Sequence, residues 1–275
     1  MPTPIGDGVG LSDVGRLSAV PGCPALRRAA ALALTGILAL VVVACAGQRP
    51  ELATAKQVTT TTQSPSTSAP RVPAEVAQAT SDAIDIFGDA SSPDPAQRLT
   101  AADATSAPTI PIVFLVKRKA DDRLEVYLPV GANGASGWVR RSDVTVSSVP
   151  YRIEVTLREH RLRVVGADKV VLDEPVAVGR TDRPTPGGIY FLKELLQPPN
   201  PDGPYGPYVY GLSGSSTTLT SLSGGSGVVG IHGTNDDASV GADSDHGCFG
   251  LRDDVILRLV KELGLPLGTP VEVLS

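Results

Sequence analysis

The chain has 275 residues and a formal net charge of −5, with 41% hydrophobic but only 4% aromatic side chains. No Lys/Arg-rich run tracks along a face, so nothing points to a nucleic-acid partner through phosphate neutralisation. Composition shifts strongly along the chain, which places the folded mass in roughly the C-terminal two thirds rather than spreading domains over the full length.

Arg27-Arg28 precede an apolar stretch from Ala29 to Ala44. A basic n-region followed by a short h-region is the pattern of an export signal, and the stretch falls short of the about twenty residues a membrane span needs. Val42-Val43-Ala44-Cys45 resembles a lipobox. That resemblance implies a signal peptide over 1–44, a lipid-modified Cys45 as the mature N-terminus, and a protein held by its lipid on the outer face of the cell membrane, facing the wall. The alternative is an uncleaved signal anchor with Cys45 as a small buried residue. Residues 45–109 are rich in Ser, Thr, Ala and Pro, including Thr59-Thr60-Thr61-Thr62. Such a tract buries too little apolar surface to offset its conformational entropy and is expected to be a disordered tether. Within it, Val76, Ala83, Ile84 and Phe87 line at most one face of a transient helix.

Residues 110–147 read as a small β-module, with strands at Ile110–Val116 and Arg123–Pro129 and a closing Gly137-Trp138-Val139-Arg140. Together with Asn133-Gly134 this is similar to bacterial SH3-like barrels, in which Trp138 is expected to pack the core rather than stack on a ligand. About forty residues is minimal for a barrel, so the module is expected to pack on its neighbour.

Residues 148–275 open with a hairpin signal: Tyr151–Leu157 alternates at period two and Arg161–Val165 answers it across Glu159-His160, which leaves His160 as a solvated turn residue. Glu174–Val178 and Gly188–Leu192 are further strands. Gln197–Tyr210 is too rich in Pro and Gly for a regular element and is either a loop bordering a functional cleft or a surface crossing. Val228–Ile231 is a buried strand that delivers His232 to the end of a sheet. Asp253-Asp254 are expected to cap a helix with Val255, Ile256, Leu259, Val260 and Leu263 on its apolar face, ending at Gly264 with Pro266 beyond. Pro270–Leu274 is the last strand. The fold class is therefore mainly β, a sandwich-like domain with one C-terminal helix behind an SH3-like barrel and a tether.

Chemistry concentrates in Ile231-His232-Gly233-Thr234-Asn235 and Asp245-His246-Gly247-Cys248-Phe249, with His232 and Cys248 sixteen positions apart. A thiol of ordinary pKa, about 8.5, is mostly protonated at neutral pH, so a nucleophilic cysteine needs a neighbouring imidazole, and His232 and His246 are the candidates. The three cysteines sit in unlike contexts, Cys23 before a basic pair, Cys45 after the apolar run and Cys248 in the motif, which argues against a disulfide framework. If Cys23 is cleaved away and Cys45 acylated, no second cysteine of the chain is left to form a disulfide with Cys248, as an exported thiol enzyme requires. Zinc on Cys248, His232 and His246 is disfavoured because the three lack the short paired spacing of most such sites, so no metal and no cofactor is expected.

The H-G-T-N and H-G-C segments at this spacing resemble the L,D-transpeptidase (YkuD-like) catalytic domain, over about Tyr151 to Leu274. Gly179 to Phe191, containing Thr185-Pro186-Gly187-Gly188, is similar to that family's turn before an aromatic strand. The resemblance implies a peptidoglycan L,D-transpeptidase. Cys248 would form an acyl-thioester with a stem tetrapeptide, releasing the terminal D-alanine, and a diaminopimelate amine of another stem would take the acyl group. His232 would be the general base, oriented by a backbone carbonyl near Gly233. Gly247 and Cys248 N–H groups would face the oxyanion, and His246 would gate or bind substrate. Thr234, Asn235, Asp245 and Tyr208 would meet the substrate, and carbapenem β-lactams would acylate the same thiol. Two positions depart from the family pattern: Asp245 replaces the usual Ser or Thr, and Gly250 the usual Arg or Asn, for which Arg252 is expected to stand in. Carboxylates at Asp236, Asp237, Asp243, Asp245, Asp253 and Asp254 would oppose a thiolate but favour a cationic acceptor. The rival readings are a non-catalytic wall-binding lipoprotein and an L,D-carboxypeptidase-type cysteine hydrolase using water as acceptor.

Overall fold

The segment expected to be tether contributes the first sheet strand. The computed structural model describes residues 73–220 and 226–275, so the signal segment, Cys45 and the tether up to residue 72 lie outside the described residues. From residue 73 the chain enters β1 (Ala74–Ala79) and a hairpin of β2 (Ala83–Ile86) with β3 (Gln97–Thr100), then a single helical turn α1 (Ala101–Ala104). In place of a tether with at most a transient helix over Ala74–Phe87 there are two strands, because a bend at Thr80–Asp82 is captured by main-chain bonds, Thr80 N–H to Asp143 O at 3.0 Å and Ala101 N–H to Asp82 O at 2.8 Å. Neither partner is local, so no sequence window could show it. Thr100 and Asp103 form a reciprocal capping box on α1.

The sheet is completed by β4 (Val113–Lys119), β5 (Arg123–Tyr127), β6 (Ser136–Arg140) and β7 (Val144–Val149), in the order β6-β5-β4-β1-β7. β1 lies antiparallel between β4 and β7, with Val76 opposite Leu115 on one side and Ser147 on the other. That central position is why its small residues Val76, Ala77 and Ala79 are buried despite their modest hydrophobicity. Trp138 is buried as expected, and its main chain exchanges both hydrogen bonds with Phe87 at 2.8 and 2.9 Å. A separate apolar cluster of Ala74, Val76, Val113, Leu115, Val149, Ile189 and Phe191 joins this module to the next.

After Pro150 come β8 (Tyr151–Thr156), β9 (Arg161–Gly166), β10 (Lys169–Pro175), β11 (Val178–Gly179), β12 (Gly188–Leu196), β13 (Val209–Thr220), β14 (Ser226–Thr234), β15 (Asp243–Asp245) and β16 (Phe249–Arg252). Helix α2 (Asp253–Leu257) and strand β17 (Pro270–Leu274) end the chain. Eight strands form one sheet, β10-β9-β8-β17-β12-β13-β14-β16, and β11 pairs with β15 in parallel. Ala177, just past β10, exchanges both main-chain hydrogen bonds with Gly250 on β16, at 2.8 and 3.1 Å. This bridge brings the two ends of the sheet together.

Every strand of the sheet then faces one core. Leu172, Leu162, Val164, Ile153, Val155, Val271, Val273, Tyr190, Leu192, Tyr210, Leu212, Val229, Ile231, Phe249 and Leu251 all lie in it, and Val255, Ile256 and Leu259 of the C-terminal helix close it. The result is mainly β with one C-terminal helix, as expected, its opposed strands facing each other like the layers of a sandwich. Asp253 and Asp254 do not cap α2: Arg252 holds the N-cap position without a side-chain hydrogen bond, and the two aspartates lie in the first turn, where they complement the helix dipole. The helix widens to a π-turn over Arg258–Glu262, where Leu263 N–H bonds Arg258 O at 2.9 Å.

Candidate active site

His232 is held by the sheet itself. On β14 it lies opposite Val209 of β13 and opposite Gly250 of β16, and only 3% of its surface is exposed. Its Nδ1 donates to Gly233 O at 2.6 Å. A carbonyl can only accept, so the Nδ1 proton is fixed and Nε2 is the atom left for chemistry. Gly233 is required by close approach: a Cβ there would strike Asp253 Oδ1 and Gly206 Cα of the Pro/Gly-rich loop.

Cys248 sits 4% exposed at the turn into β16. Gly247 before it has φ +102°, which L side chains rarely adopt. The Cys248 sulfur, a His232 ring nitrogen and an Asp245 carboxylate oxygen all lie within 4.8 Å of one another.

The third member is a substitution the family pattern does not contain. Asp245 Oδ2 stands 3.1 Å from His232 Nε2, off the axis of a full hydrogen bond. Its Oδ1 accepts the His246 N–H at 2.6 Å, and the carboxylate also accepts the Cys248 N–H. The Cys248 amide, expected to face an oxyanion, is therefore turned to Asp245 instead. Burial alone would lower the His232 pKa, but hydrogen bonding and charge from Asp245 and Cys248 outweigh it and push it up to about 10. Burial works the other way on Asp245, and the imidazolium with the two amides holds its pKa below the usual carboxylate value. At neutral pH the pair is imidazolium and carboxylate, so Asp245 acts first on the imidazole rather than chiefly as a repulsive charge on the thiol.

The Pro/Gly-rich loop does border the cleft, through Tyr205 rather than Tyr208. The Tyr205 ring meets His232 edge-on, with centroids 5.2 Å apart and planes at 80°. Burial, with the negative charges of Cys248 and Asp245, raises its phenol pKa. Tyr208 points elsewhere, against the core and beneath Lys261 Nζ at 5.8 Å. A cleft of about 290 Å³ is lined by Tyr205, His232, Thr234, Asn235, Asp245 and His246, among others. Thr234 is buried and accepts the Asp236 N–H at 3.1 Å, while Asn235 donates to Asp202 O at 3.0 Å and clasps the loop to β14. His246 is exposed at the rim.

The expected stand-in does not reach the site: Arg252 turns to Asp254 at 2.9 Å. Gly250 instead packs under Asp245, where a Cβ would lie 3.1 Å from Asp245 Oδ2 and 3.2 Å from the Ala177 Cβ. The two departures from the family pattern thus touch each other. Nor is His160 simply a solvated turn residue, since its Nε2 lies 2.8 Å from Asp243 Oδ1 on β15. Of the remaining acidic residues, Asp253 has its pKa raised by burial and by Asp237, Asp202 and Asp254. The Pro/Gly-rich loop that carries Tyr205 was detectable in the sequence; which of its tyrosines meets His232 was not, nor was the contact of Asp245 with His232.

Residues 150–273 match the L,D-transpeptidase catalytic domain (YkuD) family. The YkuD protein of Bacillus licheniformis is 33% identical over 126 residues, covering 46% of this chain and 67% of that one. Among solved structures, Bd1075 of Bdellovibrio bacteriovorus is 25% identical, with 46% of this chain and 48% of that chain covered and a TM-score of 0.37. An L,D-transpeptidase from Mycobacterium tuberculosis is 18% identical, with 53% and 67% covered and a TM-score of 0.38. This chain thus spans about half the length of the Bdellovibrio chain. With His232 on β14 facing Cys248 at the turn into β16, and a third of its aligned residues shared with the Bacillus protein, the chain belongs, through its C-terminal domain, to the L,D-transpeptidase family.

Proposed function

We propose that this protein is a peptidoglycan L,D-transpeptidase in which Cys248 is the nucleophile and His232 the proton carrier. The observation that carries the reading is the convergence of a buried imidazole, its Nδ1 fixed on Gly233 O, with the Cys248 sulfur beside an open cleft. The reaction runs through the imidazolium–thiolate form of the pair, in which the imidazole acts first as an acid. The Cys248 sulfur attacks the stem-peptide carbonyl, the C–N bond breaks, and the departing amine takes the Nε2 proton of His232. Neutral His232 then removes a proton from an incoming amine, which attacks the thioester, forms the new amide and releases the sulfur. The acidic lining at Asp236 and Asp245 favours an acceptor that arrives as an ammonium, such as the side chain of diaminopimelate.

Anchoring is read from Val42-Val43-Ala44-Cys45: a lipid on Cys45 would hold the enzyme on the outer face of the membrane, and the Ser/Thr-rich residues that follow would give it reach into the wall. Residues 110–147 are read as part of an SH3-like module to which β1 adds a strand, a reading supported by the order β6-β5-β4-β1-β7 and by the 3-10 turn at Arg141–Asp143 before the last strand.

A carbapenem tests the assignment, because opening of the β-lactam ring mimics donor acylation. Intact-protein mass spectrometry should show one adduct on the wild type and none on Cys248→Ala. An adduct that survives the substitution sinks the reading.

A further inference from the structure

We propose that His232, Asp245 and Cys248 form a three-ligand site for a zinc ion, which would occupy the nucleophile and hold the enzyme reversibly inactive. The sequence pairs Cys248 with two histidines, His232 and His246, but the fold rejects that set: His246 is exposed at the cleft rim, whereas Asp245 is brought to His232. The three side chains that do converge offer one thiolate, one imidazole and one carboxylate, the ligand types zinc takes.

Geometry supports the set. Zinc binds nitrogen and oxygen at about 2.0–2.2 Å and sulfur at about 2.3 Å, so neighbouring ligand atoms in a tetrahedral site lie roughly 3.3–3.6 Å apart. His232 Nε2 and Asp245 Oδ2 are already 3.1 Å apart, and all three ligand atoms lie within 4.8 Å of one another. Nε2 is buried, and the Asp245 carboxylate beside it stands off the axis of a full hydrogen bond. A ring nitrogen and a carboxylate oxygen that close, off the axis of a full hydrogen bond, suit a cation held by both.

The surrounding bonds also resemble those of a metal site. Nδ1 of His232 donates to Gly233 O, which fixes the tautomer whose Nε2 lone pair can bind metal. Asp245 is held in place by the His246 and Cys248 amides. Binding displaces the proton shared by His232 and Cys248: Zn²⁺ gains Zn–S, Zn–N and Zn–O bonds and that proton passes to solvent, with no change of oxidation state. A sulfur bonded to zinc cannot attack a carbonyl, so zinc and acyl donor exclude each other.

The inference is tested on the full chain with Co²⁺ as spectroscopic probe and Zn²⁺ as competitor, alongside Cys248→Ala, Asp245→Ser and the near-isosteric Asp245→Asn. Wild type should develop a thiolate-to-cobalt charge-transfer band that Zn²⁺ abolishes and Cys248→Ala lacks. Both Asp245 variants should bind Zn²⁺ at least about tenfold more weakly. Zinc should slow carbapenem acylation of the wild type, with a chelator restoring it. Equal zinc affinity in wild type and both Asp245 variants overturns the site, as does a cobalt spectrum without the charge-transfer band. Acylation of wild type in chelator is a separate readout: if it proceeds normally while no cobalt band forms, the zinc site fails and the transpeptidase reading stands.

Discussion

The two sides of the active site are held by different forces. His232 lies within a strand, with main-chain partners on β13 and β16 and its ring fixed by the next residue's carbonyl. The opposite side, from Asp236 to Cys248, has only three strand residues, Asp243–Asp245. It is positioned by scattered polar contacts: Ser244 Oγ to Ser239 O at 2.7 Å, Arg180 N–H to Asp245 O at 3.0 Å, His160 to Asp243, and the Asp245 carboxylate on two amides. Backbone ladders tolerate almost any side chain, whereas a turn pinned by side chains depends on which ones are present. Asp245, which departs from the family pattern, lies on the pinned side, where a substitution changes geometry and charge together, while the second departure, Gly250, lies on β16 in the ladder beside His232.

The largest expected effect removes the ladder-held group. His232→Gln keeps the strand but loses the proton carrier, and acylation by a β-lactam should slow by about 10²–10⁴, the usual share of general acid–base catalysis. Stopped-flow or mass-spectrometric acylation rates measure it, and a loss below tenfold would show that Cys248 is activated without the imidazole.

Asp245→Asn comes next and tests the pinned side through charge alone. Asp245 helps hold the His232 pKa near 10, so removing the carboxylate charge lowers it toward the ordinary value of about 6.5. The alkaline limb of the acylation profile, where imidazolium is lost, should therefore move to lower pH. Linkage gives the matching stability effect. A group whose pKa is raised on folding stabilises fully below its unfolded pKa, and that stabilisation is lost as pH rises through the folded value. Wild type should thus lose this contribution as pH climbs toward about 10, and the variant well before that. Chemical denaturation at a series of pH values checks the sign; an unmoved alkaline limb would remove Asp245 from any electrostatic role.

Gly250→Ala separates coupled from independent departures. The new Cβ would crowd Asp245 Oδ2 at 3.1 Å and the Ala177 Cβ at 3.2 Å. A destabilisation of about 1–3 kcal/mol is expected from overpacking. In the Asp245→Ser background part of that crowding disappears, so the two substitutions should be non-additive by at least about 0.5 kcal/mol. Strict additivity in urea denaturation would mean that Ala177 alone sets the limit.

Much of this was legible beforehand because it rests on local pattern. Alternation in Tyr151–Leu157 and Arg161–Val165 yielded β8 and β9, the apolar run at Val228–Ile231 yielded the strand bearing His232, and the H-G and H-G-C segments marked the two residues the fold brings together. What was not legible depends on contacts distant in sequence. β1 is a strand because β4 and β7 flank it, and its Val and Ala residues alone look like tether. Asp245 read as a charge near the thiol, and it is the short β11–β15 pairing together with the polar contacts of its turn that brings it onto the imidazole. Tyr208 and Tyr205 are three residues apart in one loop, and composition could not say which faces the cleft.

The smallest expected effect lies farthest from the chemistry and isolates the polar pinning itself. His160, at φ 50° in the β8–β9 turn, reaches Asp243 Oδ1 at 2.8 Å, with their side chains 26% and 59% exposed. A contact this open to solvent contributes about 0.2–1 kcal/mol. It nonetheless joins the turn to β15, two residues before Asp245, and the Val176 N–H donates to His160 O at 2.9 Å from the same turn. His160→Ala removes the ring and leaves that main-chain bond in place. Global stability should fall by no more than the range above, and acylation should change less than for any variant at His232 or Asp245. The informative readout is hydrogen exchange of the amides from residue 241 to 247, which should speed up while those of β14 do not, because a ladder strand opens only with its sheet. If both sides of the site exchange faster together, β15 is held by the sheet after all and the division between ladder and pinned turn is wrong.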